Sequence, residues 1–276
     1  MWRYYHAAMD TDLYRVKPGA KQIDLGEWAT NDNGGLDRAE AEAEFATLTA
    51  RLADLQERMY AEGKRSVLVV LQAMDGAGKD STIKSVFGPL NPQGLSLTSF
   101  KAPCGHELAH DFLWRVHAHA PARGYLGLFN RSHYEDVLVV RVRGLVPESR
   151  WKKRYAHIVN FEELLVDEGT TIVKCYLHVS RDYQRERLQK RLDDPAKHWK
   201  FESNDLKERA LWKDYREAFE VAVAKTSTKT APWYIVPSEK RWFRNWLVAK
   251  IMVDTMEAMD IKLPEPDFDP KSIVIT

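Results

Sequence analysis

Short apolar, β-branched runs alternate with longer stretches of helical periodicity through most of this 276-residue chain. The run at residues 66–71, Ser-Val-Leu-Val-Val-Leu, has the length and composition of a strand that is buried on both faces. Further strands are predicted at residues 95–100, 124–129, 171–179 and 233–236. Strands that alternate with helices predict one parallel sheet covered on both faces, which binds ligands at the carboxyl ends of its strands.

Apolar residues between these runs recur at three- and four-residue steps, which is the spacing of amphipathic helices. The first such helix is predicted to start at Asp37, which with Glu40 resembles a capping box, and to end at Gly63. Further helices are predicted after Lys79 and at residues 108–119, 151–168, 180–194, 205–225 and 238–259. Residues 137–142 are β-branched but have no assignable strand partner, so between strand and helix we favour a helix.

Both ends of the chain lack this periodicity. Residues 1–36 are polar and aromatic and finish in the turn sequence Asn-Asp-Asn-Gly-Gly, so they are predicted as an arm lying over the domain. The tail from Leu263 contains three prolines and is predicted to be irregular. No internal repeat divides the chain, and we expect residues 1–276 to form a single domain.

The stretch that follows the first predicted strand, residues 71–81, reads Leu-Gln-Ala-Met-Asp-Gly-Ala-Gly-Lys-Asp-Ser. Gly76 and Gly78 allow backbone conformations that residues with a Cβ resist, so successive amide N–H groups can converge on phosphate oxygens. The positive end of the following helix dipole and the charge of Lys79 favour the same ligand. A strand, a glycine-containing loop and a helix start therefore predict a phosphate cradle.

This loop departs from the pattern G-x-x-x-x-G-K-[ST] at two positions. Ala73 holds the first glycine position, and Asp80 replaces the hydroxyl residue that would contact magnesium. Asp80 and Asp75 nevertheless supply carboxylates, which are suitable ligands for a hard divalent cation. The alternative is an ordinary turn with Lys79 in solvent, which the strand–loop–helix context disfavours.

A second candidate segment follows the third predicted strand. Enzymes with a phosphate cradle commonly place a metal-linked carboxylate at such a strand end, but here the residue is the neutral Asn130. Glu135 and Asp136 supply negative charge instead, and Arg131 can bind phosphate in two places. The alternative is that Arg131 and Glu135 form a structural ion pair.

A third candidate segment, residues 181–200, contains seven basic and four acidic residues. Arg187 and Arg191 stand four residues apart and so share a helix face. Arginines on a closing element suit phosphoryl transfer, which consists mostly of positioning and charge neutralisation. The alternative is a solvated helix whose charges pair with one another.

One short motif points to a different class of enzyme. His106, Glu107 and His110 satisfy H-E-x-x-H, and Glu135 lies downstream where a third zinc ligand would be sought. This pattern is typical of a zinc peptidase with Glu107 as the base. It is disfavoured because Pro103 stands just ahead of it, where a helix is only beginning, and zinc binding needs both histidines on one helix face.

Composition narrows the class of protein. With 41 basic and 40 acidic residues the net charge is +1, so no general positive field indicates nucleic acid or an anionic membrane as a partner. The two cysteines, Cys104 and Cys175, do not suggest a disulfide framework. Residues 1–6 lack the apolar core of a secretory signal, and no apolar run reaches membrane-spanning length. We expect a cytoplasmic protein that binds anions through a local cluster.

The combination of segments closely resembles the family 2 polyphosphate kinases. The resemblance covers most of the chain, about residues 25–260. The matching segments are residues 73–80, 129–137, 187–191, 199–201 and 212–215. The resemblance implies an α/β three-layer P-loop kinase fold, similar to thymidylate kinase, with a five-stranded parallel sheet and a helical lid at about residues 181–225. It also implies transfer of the terminal phosphoryl group of inorganic polyphosphate to a nucleotide, with Mg2+ or Mn2+. An ATP-dependent nucleotide kinase of the same fold is the alternative.

The resemblance also implies roles for individual residues. Catalytic roles fall to Asp75, Lys79, Arg131 and Arg191. Cofactor-binding roles fall to Gly76, Ala77, Gly78, Asp80, Asn130, Arg187 and Lys190. Metal-binding roles fall to Asp75, Asp80, Glu135 and Asp136. Many members have Asp at the position of Asn130, and the sequence here is similar to the subgroup that accepts AMP as well as ADP. A homo-oligomer, either a dimer or a tetramer, is also expected. By charge and sequence proximity, candidates for a basic polyphosphate groove are Lys84, Arg123 and Lys190.

Overall fold

The computed structural model describes residues 9–273 and 275. Its strands are β1 (Ser66–Ala73), β2 (Leu95–Ser99), β3 (Leu126–Asn130), β4 (Thr170–His178) and β5 (Trp233–Pro237). All neighbours pair in parallel, in the order β2-β3-β1-β4-β5. The predicted five-stranded parallel sheet is therefore confirmed.

The helices are α1 (Arg38–Glu62), α2 (Lys79–Thr82), α3 (Gly105–Leu108), α4 (Trp114–His117), α5 (Val139–Val142), α6 (Glu148–Asp167), α7 (Arg181–Leu192), α8 (Ser203–Ala210), α9 (Trp212–Thr226) and α10 (Arg241–Ala258). A π-helical turn, Ile83–Phe87, continues α2. A 3-10 turn, His133–Val137, lies between β3 and α5.

Helices cover both faces of the sheet, and the central strand contributes apolar residues to the core on each face. All residues of β1 are buried. Val67, Val69 and Leu71 belong to the core beneath α1 and α10. Leu68 and Val70 belong to the core beneath α6 and α9. The predicted three-layer α/β arrangement is confirmed, and it leaves the carboxyl edge of the sheet open for a site.

The ends of α1 follow from two residues. The carboxylate of Asp37 accepts hydrogen bonds from the amides of Ala39, at 2.8 Å, and Glu40, at 3.2 Å. Gly63 ends the helix in the left-handed conformation, with φ +63°. Both positions agree with the predicted start and end of this helix.

Two helices differ from prediction. Residues 108–119 are not one helix, because the carboxylate of Asp111 accepts hydrogen bonds from Leu113 N, at 2.9 Å, and Trp114 N, at 3.1 Å, and so starts α4 after a turn. Residues 205–225 are divided at Leu211, whose ψ of 21° departs from helical geometry. Residues 139–142 form a helix, as favoured from the sequence.

The described part of the N-terminal segment, residues 9–36, runs along the free edge of β5. Arg15 forms an isolated antiparallel bridge with Tyr234, and Val16 N donates to Trp233 O at 2.8 Å. The hydroxyl of Tyr14 donates to Asp32 at 2.6 Å. Residues 1–8 lie outside the described residues, and so does the prediction that residues 1–6 lack the apolar core of a secretory signal. No helix of the described chain is long and apolar enough to cross a membrane.

Candidate active site

The cradle loop leaves the carboxyl end of β1 and enters α2. Gly76 and Gly78 have φ values of +82° and +106°, a conformation that residues with a Cβ rarely adopt. A Cβ at position 78 would also lie 2.1 Å from Nη1 of Arg244. Glycine at position 78 is therefore required by both the backbone conformation and the space beneath it.

Lys79 lies across this loop. Its Nζ donates a hydrogen bond to Ala73 O at 3.2 Å. Burial lowers the pKa of the Lys79 amine, while the charges of Asp75 and Glu135 oppose that shift. The ammonium thus stands among acidic side chains at the mouth of the cradle, where it can also meet phosphate oxygens.

Arg131 and Asp75 link the ends of two neighbouring strands. Nη2 of Arg131 lies 3.1 Å from Oδ1 of Asp75, and the two side chains are 43% and 31% exposed. Arg131 has φ +60°, an unusual conformation for a non-glycine residue and one often found where strain serves a site. The hydrogen-bonded partner of Arg131 is therefore Asp75, while Glu135, which the alternative interpretation had paired with it, acts on Arg131 through its charge alone.

Asn130 links the same two chain segments from the other side of the loop. Its Nδ2 donates to Oδ1 of Asp80 at 2.9 Å. This contact follows from the parallel register, in which Asn130 stands opposite Leu71 of β1. A neutral amide here donates a hydrogen bond to the neighbouring carboxylate, whereas the carboxylate of an aspartate would repel it.

The four carboxylates that were predicted as metal ligands have different surroundings. Asp136 is held by Arg154, whose Nη1 donates to its Oδ1 at 2.7 Å and to its carbonyl at 3.0 Å. Burial raises the pKa of Glu135, against the charges of Arg131 and Lys79. Within residues 9–273 and 275, no three His, Cys, Asp or Glu side chains are grouped to hold a metal ion.

A magnesium site nevertheless fits the loop on the basis of its donors. Mg2+ usually keeps several waters and takes one or two carboxylates together with substrate phosphates. Asp75 is partly exposed and Asp80 is exposed, and both flank the cradle. These two side chains are the carboxylates that fit such a site.

The predicted lid residues differ in how close they lie to the cradle. A Cβ at Gly76 would contact Cβ of Arg187 at 3.5 Å, so α7 packs directly on the loop. Arg191 instead binds Lys200 O, at 3.1 Å, and Asp205, at 3.3 Å. Lys190 is exposed and lies 4.0 Å from Glu186. The structure thus brings Arg187 to the loop and directs Arg191 and Lys190 elsewhere.

The proposed basic groove needs one correction. Arg123 precedes β3 and lies 3.7 Å from Glu168, which precedes β4. Both residues therefore lie at the amino edge of the sheet, opposite the cradle, because the strands are parallel. Lys84 lies in the π-helical turn after α2. Arg123 cannot contribute to a groove at the carboxyl edge.

A cavity of about 520 Å³ opens from the Asp75–Arg131 pair. Its apolar wall includes Phe100, Leu138, Val139 and Val146. Polar side chains from α8 and α9, with the segment before them, also line the cavity: Glu202, Asn204, Asp205, Glu208 and Tyr215. A cavity with apolar and polar lining and a charged end suits a ligand that joins a ring to phosphate.

Comparison with known sequences assigns the chain to a protein family. The sequence model of the family described as Polyphosphate kinase 2 (PPK2) matches residues 35–264. The chain belongs to the polyphosphate kinase 2 family. The resemblance inferred from the motifs at residues 73–80 and 129–137 is thereby confirmed.

Individual relatives match almost the whole chain. A protein from Meiothermus ruber, named AMP/ADP-polyphosphate phosphotransferase, is 52% identical and covers 95% of this chain and 98% of its own. One from Rhodopseudomonas palustris, named ADP-polyphosphate phosphotransferase, is 42% identical and covers 92% of both chains. The crystal structure of Polyphosphate Kinase 2 from Arthrobacter aurescens TC1 has a TM-score of 0.91 at 43% identity, covering 95% of this chain and 93% of that one.

Two residues beside the loop of this polyphosphate kinase 2 member were missed in the sequence. Gln184 on α7 donates from Nε2 to Asp75 O at 2.9 Å. Arg244 on α10 is 1% exposed and donates to Ala77 O at 3.2 Å. A signal for Arg244 was present, because an arginine within the apolar stretch around Phe243 needs a buried partner.

The H-E-x-x-H motif has a structural explanation in this family member. Oε2 of Glu107 accepts the amide hydrogen of Cys104 at 2.7 Å and so caps α3. His106 lies within α3, whereas His110 lies beyond its end and stacks on Trp114 with ring centroids 4.1 Å apart. The ring centroids of His106 and His110 lie 5.1 Å apart. Within the described residues no third His, Cys, Asp or Glu joins them, so the zinc-peptidase hypothesis lacks the ligand set that it requires.

Proposed function

We propose that this chain transfers the terminal phosphoryl group of inorganic polyphosphate to AMP and ADP. The observation that carries the proposal is that a glycine loop with Lys79 meets a nucleotide-sized cavity at the Asp75–Arg131 pair. The name of the Meiothermus ruber relative, an AMP/ADP-polyphosphate phosphotransferase, supports the same pair of acceptors. The cavity would take the nucleotide, and the loop would hold phosphate at its charged end.

Phosphoryl transfer needs little covalent chemistry from the protein. The reacting groups must be aligned and the charge on the transferred group must be stabilised. Loop amides and Lys79 would bind phosphate oxygens on one side of the transferred group. Arg131, already oriented by Asp75, would bind the acceptor phosphate on the other. Because both cations come from adjacent strand ends, the sheet itself sets the distance between them.

Magnesium is part of the proposal. Asp75 and Asp80 would hold Mg2+, or Mn2+ in its place, together with phosphate oxygens. The bound ion would supply positive charge that screens the phosphates from each other and from these carboxylates. Asp136 would take no part, because its side chain is less exposed than that of Asp75 and Arg154 binds both its carboxylate and its carbonyl.

Arginines of α7 would complete the charge balance. Arg187 lies against the loop, and burial lowers the pKa of its guanidinium, with Arg241 acting in the same direction. Arg191, which binds Asp205 here, would reach the phosphates by exchanging that partner. Such an exchange would couple closure of residues 181–225 to the presence of substrate.

Asn130 supports acceptance of AMP in addition to ADP. The neutral amide leaves one fewer negative charge beside Asp80 than an aspartate would. Polyphosphate and either acceptor, AMP or ADP, would therefore meet less repulsion at this strand end. Asn130→Asp should lower the rate with both AMP and ADP, because the added negative charge repels the phosphates of either acceptor.

One assay tests the transfer reaction directly. The protein is mixed with AMP or ADP, magnesium and polyphosphate, with no nucleoside triphosphate present, and products are separated by chromatography. Formation of ADP and ATP supports the proposal, and their absence at every salt concentration refutes it. Replacing polyphosphate with ATP tests the nucleotide-kinase alternative, and chelation by EDTA tests the metal requirement.

We also propose a cytoplasmic homo-oligomer, dimer or tetramer, as the working form. Cys104 and Cys175 are both free thiols, which is usual in a reducing compartment. Light scattering of the purified chain, with and without polyphosphate, measures the oligomeric state.

A further inference from the structure

Arg244 lies on α10 directly beneath the cradle loop. Its Nη1 donates to Ala77 O at 3.2 Å and its Nη2 donates to Oγ of Ser81 at 3.0 Å. The hydroxyl of Ser81 donates in turn to Gly78 O at 2.9 Å. One guanidinium therefore holds the loop on both sides of the residues that would surround a phosphate.

The loop is shaped to admit this guanidinium. Nη1 and Cζ of Arg244 would lie 2.1 and 3.2 Å from a Cβ at position 78. Glycine at this position and arginine at 244 are therefore matched to each other. In the pattern G-x-x-x-x-G-K-[ST] the hydroxyl residue directly follows the lysine. Here Asp80 takes that position and Ser81 comes one residue later. Ser81 thus anchors the loop from beneath.

The charge of Arg244 has no acidic partner in these contacts. Its side-chain acceptors are a carbonyl, a hydroxyl and the amide oxygen of Asn245, at 2.9 Å. Burial lowers the pKa of Arg244 to about 10, and Arg187 and Arg241 act in the same direction. A buried charge is ordinarily paired with an opposite one. This cluster of cations therefore lacks an anion that a phosphate group could supply.

We propose that Arg244 is a positioning residue of the phosphate cradle, fixing the loop from beneath and leaving its positive charge to act on the phosphate bound above. This proposal rests on the proposed function, since it assumes that the loop binds a phosphate chain. It assigns Arg244 two separable properties. The planar fork sets the positions of the loop amides, and the charge strengthens phosphate binding.

Three variants separate these properties. Arg244→Lys keeps the charge and loses the fork, while Arg244→Met loses both. Arg65→Met is the matched control, because Arg65 also binds a backbone carbonyl associated with α10, that of Met259, but lies at the amino edge of the sheet. Binding of inorganic triphosphate is measured by calorimetry at two salt concentrations. Turnover and KM for polyphosphate are measured with ADP as acceptor, and folding is checked by circular dichroism.

We expect Arg244→Met to bind triphosphate about tenfold or more weakly and with a shallower salt dependence, since a cation has been lost. Arg244→Lys should retain most of the affinity and salt dependence but lose about tenfold in turnover, because the loop amides are no longer fixed. Arg65→Met should bind within about twofold of the wild type.

A folded Arg244→Met variant with wild-type affinity and salt dependence would overturn the proposal. If that variant does not fold, the lysine variant decides, and wild-type affinity together with wild-type turnover would overturn it. Failure of the proposed function is a different result. In that case the wild type makes no ATP from ADP and polyphosphate, while triphosphate binding still reports on Arg244.

Discussion

Replacing Glu162 by glutamine should destabilise the protein strongly, because it leaves a buried lysine without its counter-charge. Lys174 and Glu162 are 0% and 1% exposed and form an ion pair. The ammonium also donates to the hydroxyl of Tyr134, at 3.0 Å, and to Thr226 O, at 2.8 Å. Glu162 accepts from Tyr134 as well, at 2.9 Å. This network joins β4, α6 and α9 to the turn that follows Arg131.

The expected loss follows from the geometry. Removing one partner of a buried pair costs about 3–5 kcal/mol, because the remaining charge is uncompensated. Glutamine keeps the volume and an acceptor oxygen, so we expect the lower end, about 3 kcal/mol. For a chain of 276 residues, whose unfolding entropy is about 0.6 kcal/mol/K, this corresponds to a fall in Tm of roughly 5 °C.

Urea unfolding followed by tryptophan fluorescence provides the measurement. Trp233, one of nine tryptophans in the chain, belongs to the network, because its Nε1 donates to Oγ1 of Thr226 at 2.9 Å. The control is Glu42→Gln, which removes the exposed ion pair with Arg38 and should cost under about 0.5 kcal/mol. A change in m-value would mean that the denatured state had changed as well.

The double variant Glu162→Leu with Lys174→Met tests the reason for the loss. Replacing both charges with apolar side chains is often neutral or stabilising, so most of the stability should return. A single Glu162→Gln variant that loses less than about 1 kcal/mol would refute the argument. So would a double variant that is no more stable than the single one, since the cost would then not come from an unpaired charge.

The other predictions concern the site. Lys79→Ala and Asp75→Ala should each lose at least about 100-fold in turnover, with little change in Tm, and near-normal rates would mean that the cradle is misassigned. Arg191→Lys should lose about tenfold in turnover, since lysine cannot bind phosphate in two places, and an unchanged rate would remove Arg191 from the reaction. Burial raises the pKa of Glu135, so its folded form holds a proton more readily than the unfolded chain. Its contribution to stability therefore falls as pH rises through the raised pKa, and Glu135→Gln should flatten Tm against pH above about pH 4.

Features encoded in adjacent residues were predictable from the sequence. The short, β-branched apolar run at 67–71 favours a strand with both faces covered, and the loop after it carries its glycines in order. Asn130 and Arg131 were also located correctly, because a strand end delivers the residues that follow it. In each case the local pattern and the tertiary environment require the same residues.

Pairings between distant residues were not predictable. Arg131 could reach either Asp75 or Glu135, and only the spacing of β1 and β3 decides for Asp75. Asp136 was expected to face a metal, but α6 brings Arg154 to it. The break at Asp111 was hidden because the apolar spacing continued across a residue whose side chain binds backbone amides.

Attraction for polyphosphate in this chain must be local. The net charge of +1 gives no long-range field, and charges separated by more than about 8 Å are largely screened at physiological ionic strength. The cations that act are therefore those around the loop: Lys79, Arg131, Arg187, Arg241 and Arg244. Because the guanidinium of Arg244 occupies the space that a Cβ at position 78 would take, adding that Cβ should weaken polyphosphate binding more than removing an exposed lysine such as Lys190. Gly78→Ala and Lys190→Ala, compared by KM for polyphosphate, test this ordering, and a larger effect at Lys190 would place the main contact on the exposed face of α7.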